Sequence, residues 1–319
     1  MNKSYFLWPE NRLIKALRAF NPLITVDSIE TMLHEMFPTG FPVLCSSGRA
    51  ALNIVLIHNE VTRFDYVGVF PYASHCVLDS VSRLTNPLLG KEGRKSSLRI
   101  IYHQWSFVQE MNLKHNSIED CADTICIPGT NLFMGGGAFE IWSLPKILGT
   151  TSGGLIWCRD KETAICLRHL RDNRGEGLTP WILRQMSKSY PSMYTSWQGL
   201  EVNRGQVSKL QTGEIFKAIQ NWDNIISDRL KKIDLVWPYS LNWLKKPKKR
   251  LPPVIPIKFE SDEKLIKDLG IASGFRMIER INSPNRRSFE KVLPVPIHQD
   301  VDEAWLVSLI KNIEEHICI

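Results

Sequence analysis

The sequence of 319 residues lacks the features that define several large protein classes. No uninterrupted apolar segment reaches the roughly 18 residues that a membrane-spanning helix needs. The N-terminal MNKSYFLWPENR has neither the apolar region nor the small-residue cleavage site of a signal peptide. We find no internal repeat and no low-complexity tract. With 43% hydrophobic and 23% charged residues, the sequence predicts a soluble globular protein of the cytoplasm that has no membrane partner.

Cysteine and histidine are present without the spacing of a disulfide framework or a metal site. The seven cysteines form no CxxC pair, and the eight histidines form no HExxH motif. We therefore expect buried free thiols in a reducing compartment and no metal. Lys and Arg (40) exceed Asp and Glu (33) by only seven charges. This balance is compatible with an anionic ligand and does not require nucleic acid as a partner.

Short apolar runs alternate with amphipathic segments, which is typical of an α/β fold with a mostly parallel sheet. Strands are predicted at 42–47, 66–70, 98–103, 117–120, 139–143 and 153–158. Helices are predicted at 48–57, 77–84, 161–173, within 205–235 and at 301–317. We place a large domain at 1–225 and a smaller C-terminal α+β domain at 226–319. The basic, proline-rich segment 245–256 is predicted to be a loop or an edge within the smaller domain.

Three positions could carry chemistry together. Gly48 opens a helix directly after a strand, and a helix N-terminus can hold a phosphate. Asp120 follows a strand, where α/β sheets bind ligands. Lys146 lies just past a predicted strand, after Ser143 and before Gly153-Gly154. A lysine held there in a partly dry pocket could form a Schiff base. Each position also has an ordinary interpretation, namely helix packing, a capping acid and a surface lysine.

Pyridoxal phosphate (PLP) requires a phosphate site, a carboxylate at its pyridine nitrogen and a Schiff-base lysine. Candidates for the three occur here in that order. That order and spacing resemble the sugar aminotransferases of the DegT/DnrJ type, which are fold-type I PLP enzymes. The motifs that carry the resemblance are SSGRAAL (46–52), PYASH (71–75), YH (102–103), IEDCA (118–122), SLPK (143–146) with GG at 153–154, LEVNRGQVSKLQ (200–211) and LPVPIH (293–298). The glycines at 135–137 are interpreted as a close-approach turn before the strand at 139.

The resemblance implies a role for each matched residue. Lys146 would bond PLP and then act as general acid and base, and Asp120 would face the pyridine nitrogen. The remaining cofactor-binding residues would be Gly48, Arg49 and Ser143 at the phosphate, His75 stacked on the ring, and Asn203 reaching the cofactor of the partner subunit in a homodimer. For His75 a core histidine remains an alternative. For Asn203 the alternative is a helix cap before the next helix.

The implied activity is transfer of an amino group, with glutamate as the expected donor, to a nucleotide-linked keto sugar for surface polysaccharide or a related glycan. One departure concerns the cofactor site, because Asp123 stands where the family usually has Gln or His beside the phenolic oxygen of PLP. The segment between His103 and Glu119 is also short. Two alternatives follow. One is a non-catalytic binding or assembly subunit, and the other is another PLP reaction on a similar sugar, such as dehydration, in a branch that lacks the lysine.

Overall fold

Seven strands form the central sheet of the computed structural model, in the order β1-β8-β7-β5-β4-β2-β3. The structure describes residues 4–70, 73–89, 93, 96–109, 113, 116–259, 269–280 and 288–317. Strand β8 is antiparallel to both of its neighbours, and the other four pairings are parallel. The sheet strands are β1 Phe41–Cys45, β2 Tyr66–Val69, β3 Asn86–Leu89, β4 Leu98–Tyr102, β5 Ser117–Asp120, β7 Phe139–Ser143 and β8 Gly154–Cys158.

Helices pack on both faces of this sheet, and further helices pack on one another. The helices in the described residues are α1 Leu13–Arg18, α2 Val26–Met36, α3 Gly48–His58, α4 His75–Ser82, α5 Leu144–Leu148, α6 Lys161–Asp172, α7 Leu178–Met186, α8 Tyr194–Glu201, α9 Lys209–Gln220, α10 Trp222–Val236 and α11 Glu303–Ile317. Short 3₁₀ segments lie at Gln104–Ser106, Pro191–Met193 and Trp237–Tyr239. None of the helices in the described ranges is long and apolar enough to span a membrane.

Burial on both faces explains why the strands read as continuous apolar runs. Along β8, Trp157 packs into the hydrophobic cluster on one face, and Ile156 packs into the cluster on the other. Successive side chains of a strand point to opposite faces, so a sheet covered on both sides requires apolar residues at every position. The predicted α/β fold class, with a mostly parallel sheet flanked by helices, is confirmed.

The amphipathic stretch predicted within 205–235 consists of two helices. Ser208 is the N-cap of α9, and its backbone N–H donates to Oε1 of Gln211 across 2.9 Å. Asn221 separates α9 from α10, and its backbone N–H donates to carbonyls of the preceding turn. Helix α10 continues through residues 225 and 226, between which the sequence analysis places the domain boundary. That boundary stays a prediction.

A smaller antiparallel sheet follows in the chain, in the order β10-β12-β11. Its strands are β10 Val254–Ile257, β11 Arg276–Glu279 and β12 Phe289–Pro296, and a separate pair joins β6 Ile125–Cys126 to β9 Arg250–Leu251. Strand β10 lies at the edge of its sheet and carries Pro256. Proline has no N–H to donate, and an edge strand tolerates that loss. The expectation of a loop or an edge at 245–256 is thus confirmed.

Candidate active site

Lys146 lies on a short helix that begins at the carboxyl end of a central strand. Strand β7 ends at Ser143, and α5 follows immediately, with Pro145 in its first turn. The helix ends at Gly149, whose φ of 72° lies in the left-handed region that favours glycine. The backbone N–H of Leu144 then donates to the carbonyl of Gly153, at 3.1 Å. These constraints hold the half-buried Lys146 beside the carboxyl end of the central strand β7.

Two carboxyl groups lie close enough to Lys146 for its positive charge to lower their pKa values. Asp120 is the last residue of β5, which runs parallel to β7. Burial raises the pKa of Asp120 to about 6, and the nearby Lys146 charge opposes this rise. Asp123 is fully buried, and burial also raises its pKa, again against the charge of Lys146. The structure therefore brings Lys146, Asp120 and Asp123 into one cluster.

Tyr102 joins this cluster, although the sequence analysis assigns it no role beyond a motif match. It is the last residue of β4, the strand beside β5. Its hydroxyl donates a hydrogen bond to Oδ2 of Asp123 across 2.6 Å. The other oxygen of Asp123, Oδ1, is buried and accepts no hydrogen bond within the described residues. A polar side chain at the end of a buried parallel strand was the available signal for Tyr102.

The phosphate end of the predicted site is built from glycine contacts. Helix α3 begins at Gly48, and the hydroxyl of Ser47 caps it by accepting from the N–H of Ala50, at 3.1 Å. A Cβ on Gly48 would lie 3.4 Å from Cβ of Ser143. A Cβ on Gly154 would lie 2.2 Å from the carbonyl carbon of Ser47, so only glycine permits this approach. The N-terminus of α3 thus meets the end of β7, which suits a bound anion.

Arg49 directs its side chain to helix α8. Its Nη1 lies 3.3 Å from Oε2 of Glu201, and its guanidinium lies 5.0 Å from the ring centroid of Trp197. Sequence reasoning had not foreseen these two partners, because they come from a distant part of the chain. The role of Arg49 at the phosphate stays a prediction.

His75 and Asn203 are both exposed. His75 opens α4, and its Nε2 lies 3.4 Å from the hydroxyl oxygen of Tyr194 and from Nε2 of Gln198, both on α8. The core-histidine alternative is therefore wrong. Asn203 lies beyond the end of α8, and Ser208 caps α9, so the helix-cap alternative for Asn203 is also wrong. Pro71 and Tyr72, of the PYASH motif, lie outside the described residues.

A buried carboxylate fixes the glycine turn beside the cluster. Glu119 accepts from the N–H groups of Gly135 and Gly137, each at 2.7 Å, and hydrogen-bonds His103 at 2.9 Å. A Cβ on Gly137 would lie 2.9 Å from Cγ of Glu119, so the predicted close approach is confirmed. Cys121 completes a group of potential metal ligands with His103 and Glu119. Because the carboxylate already accepts three hydrogen bonds, we interpret this group as a structural network.

The N-terminal segment supplies a residue that sequence reasoning missed. Nζ of Lys146 lies 4.6 Å from the ring centroid of Trp8. Nothing in the spacing of the sequence relates these two residues, since a cation above an indole ring is a contact of the folded chain.

Comparison with known proteins identifies the family of the chain. The profile of a family described as "Putative PLP-dependent aminotransferase" matches residues 29–316. The chain belongs to this family. The protein is accordingly a PLP-dependent aminotransferase, and PLP is its cofactor. None of the curated proteins compared matches the chain.

Solved structures share the fold at low sequence identity. A "putative sugar aminotransferase" from Streptococcus pneumoniae, in its PMP form, is 11% identical with a TM-score of 0.66, and the match covers 99% of this chain and 97% of that one. An aminotransferase from Psychrobacter cryohalolentis is 14% identical with a TM-score of 0.65, covering 98% of each chain. A DegT DnrJ EryC1 StrS aminotransferase from Brucella abortus is 14% identical with a TM-score of 0.62, covering 95% of each. The predicted family resemblance is confirmed.

The residues present fit PLP. An amine at Lys146, a carboxyl at Asp120 and a glycine-lined helix N-terminus at Gly48 provide the three kinds of group that the cofactor needs. The buried Oδ1 of Asp123, which has no partner in the described chain, leaves a polar position for a further contact.

Proposed function

We propose that this aminotransferase moves an amino group from glutamate to the keto group of a nucleotide-linked sugar, for surface polysaccharide or a related glycan. The observation that carries the proposal is that Lys146 and Asp120 lie together at the carboxyl ends of β7 and β5, with Gly48 close to Ser143. The sugar acceptor is supported by the neighbouring folds, two of which are described as sugar or DegT/DnrJ aminotransferases.

Each residue of the proposed site has a defined task. PLP, when bound, supplies an electron sink for the carbon that loses a proton. Lys146 bonds the cofactor at rest and moves that proton as general acid and base once it is free. Asp120 keeps the pyridine nitrogen protonated, because an anion beside a protonated nitrogen stabilises its charge. Ser143 and the helix start at Gly48 and Arg49 bind the phosphate.

The remaining contacts shape the cofactor pocket. His75 would stack on the ring of the cofactor, and Asp123 would lie at its phenolic oxygen. Asn203 reaches the phosphate of the partner subunit's cofactor, which requires a two-fold homodimer in which each subunit lends the same residue. The exposed position of Asn203 supports this assignment. The described free thiols at Cys45, Cys121 and Cys126 support a cytoplasmic location.

Borohydride reduction followed by peptide mapping tests the assignment of Lys146. We expect the cofactor label on the peptide that contains Lys146 and none in Lys146→Ala. A label on Lys188 or Lys209 would refute the site. In a separate sample that has not been reduced, glutamate should bleach the visible band of the wild-type protein. A nucleotide-linked keto sugar should restore that band, and the free keto sugar should restore it far more slowly. Equal recovery with both sugars would contradict the nucleotide-linked substrate.

A further inference from the structure

Trp8 covers the reactive end of Lys146. The 4.6 Å between Nζ and the ring centroid is within the range of a cation–π contact. Trp8 is half-buried, and its shielded indole Nε1 has no hydrogen-bond partner among the residues that the structure describes. The ring therefore lies between the amine of Lys146 and the hydrophobic cluster of the smaller sheet against which it packs.

The chain on both sides of Trp8 is anchored. Tyr5 makes two backbone hydrogen bonds, 2.8 and 2.9 Å long, with the loop that precedes β11. Leu7 is buried in a hydrophobic cluster of the smaller sheet. The N–H of Glu10 donates to Oδ2 of Asp300 across 2.7 Å. These contacts fix the backbone before and after the tryptophan, so its position over Lys146 is built into the fold.

We infer that Trp8 is a further residue of the catalytic site, which holds the amine of Lys146 against its indole face whenever that lysine is not bonded to the cofactor. The inference rests on the proposed function, in which Lys146 is the reacting amine. It adds no covalent step to the reaction. The task of Trp8 is to keep a freed side chain within reach of the carbon whose proton it must move.

A long lysine side chain needs such a partner for a physical reason. Lysine has many rotamers, and a released amine that explores them loses the geometry on which proton transfer depends. The indole face attracts the charged amine from one side, and Trp is the strongest of the aromatic residues in this contact. The carboxyl groups of Asp120 and Asp123 attract the same amine. Together they confine Lys146 without forming a bond that must later be broken.

Labelling of the cofactor-free protein tests the contact directly. Reductive methylation with formaldehyde and cyanoborohydride, mapped by mass spectrometry, reports how readily the amine of Lys146 reacts. In Trp8→Leu we expect this lysine to react about threefold faster or more, because the cation–π contact is lost. Trp8→Phe keeps a weaker ring and should give an intermediate rate. It also serves as the test variant if Trp8→Leu does not fold.

Two controls accompany the labelling. Phe6→Leu makes a similar change at an exposed ring, 66% accessible, in the same segment, and should leave the rate at Lys146 unchanged. The exposed Lys209 should react equally in all proteins. Equal labelling of Lys146 in the wild type, Trp8→Leu and Trp8→Phe would overturn the inference.

The loaded enzyme gives an independent measurement. With glutamate as the probe, bleaching should slow in the order wild type, Trp8→Phe, Trp8→Leu, and the isotope effect with α-deuterated glutamate should rise in the same order. A structural role for Trp8 would not raise the isotope effect, whereas a misplaced proton carrier would. If the wild type does not bleach with glutamate, the proposed donor is wrong, and the labelling experiment alone decides the role of Trp8.

Discussion

The hydroxyl of Tyr102, the last residue of β4, lies 2.6 Å from Oδ2 of Asp123, which follows the end of the neighbouring parallel strand β5. The bond uses only one carboxyl oxygen, and Oδ1 remains buried without a partner among the described residues. A hydrogen bond from Tyr102 stabilises the charged form of Asp123, whereas burial stabilises the neutral form. Burial prevails, because the pKa of Asp123 is raised. The balance between burial on one side and the Lys146 charge and the Tyr102 hydrogen bond on the other should set the charge beside the cofactor.

Asp123→Gln should lower the pKa of the bound cofactor, which is measured from the pH at which its visible band changes. A carboxylate near the phenolic oxygen repels that oxygen's negative charge and favours the protonated, yellow form, and glutamine removes the repulsion. Each pKa unit corresponds to about 1.36 kcal/mol. A spectral pH titration of both proteins measures the change. An unchanged or raised pKa would show that Asp123 does not act on the cofactor in its charged form.

Tyr102→Phe should shift the same titration in the same direction but by less. Without the hydroxyl, the charged form of Asp123 loses a hydrogen bond, so the pKa of Asp123 rises and its neutral fraction grows. Because Tyr102 acts through Asp123, the double variant Tyr102→Phe/Asp123→Gln should titrate like Asp123→Gln alone. Additive shifts in the double variant would mean that Tyr102 contacts the cofactor independently.

The sequence predicted the central strands well, for a physical reason. Strands such as β8 are buried on both faces and therefore read as apolar runs. The Gly137 turn could be recognised because only glycine allows Ser117 and Glu119 so close. Contacts between distant segments carry no such local signal. The position of Trp8 over Lys146 and the pairing of Arg49 with Glu201 depend on how the folded elements meet.

Arg250→Met should destabilise the protein strongly at neutral pH. Arg250 makes two contacts with the buried Glu140, at 2.6 and 3.0 Å, and lowers its pKa. Removing one partner of such a pair leaves an uncompensated buried charge, which costs about 3–5 kcal/mol. Denaturant unfolding at pH 7 measures the loss. The half-exposed pair of Arg83 with Asp79 is the matched control, and Arg83→Met should cost about 0.5 kcal/mol or less.

The same ion pair predicts a dependence on pH with a definite sign. In the wild type, Glu140 has a lowered folded pKa, so its stabilisation is present above its ordinary value of 4.5 and is lost as the pH falls through the folded value. In Arg250→Met the pKa of the buried Glu140 should rise, because only the hydrogen bonds from Trp142 and the N–H of Phe133 then oppose burial. The cost of the substitution should therefore shrink as the pH falls from 7 towards 4. A cost that is independent of pH would contradict the assignment of Glu140 as the uncompensated charge.

Mixing two inactive variants should restore activity if Asn203 serves the partner subunit's site. Lys146→Ala lacks the reacting amine, and Asn203→Ala lacks the shared phosphate contact. In a mixed dimer, one site combines Lys146 from one subunit with Asn203 from the other, and that site is intact. With equal amounts and free subunit exchange, half of the dimers are mixed and each has one intact site, so activity should reach about a quarter of the wild-type value.

Glutamate bleaching before and after exchange measures the gain, and Lys146→Ala mixed with the double variant Lys146→Ala/Asn203→Ala is the control that should stay inactive. If the mixture only averages the activities of its two parents, or if sedimentation finds an active monomer, Asn203 does not act across a dimer interface.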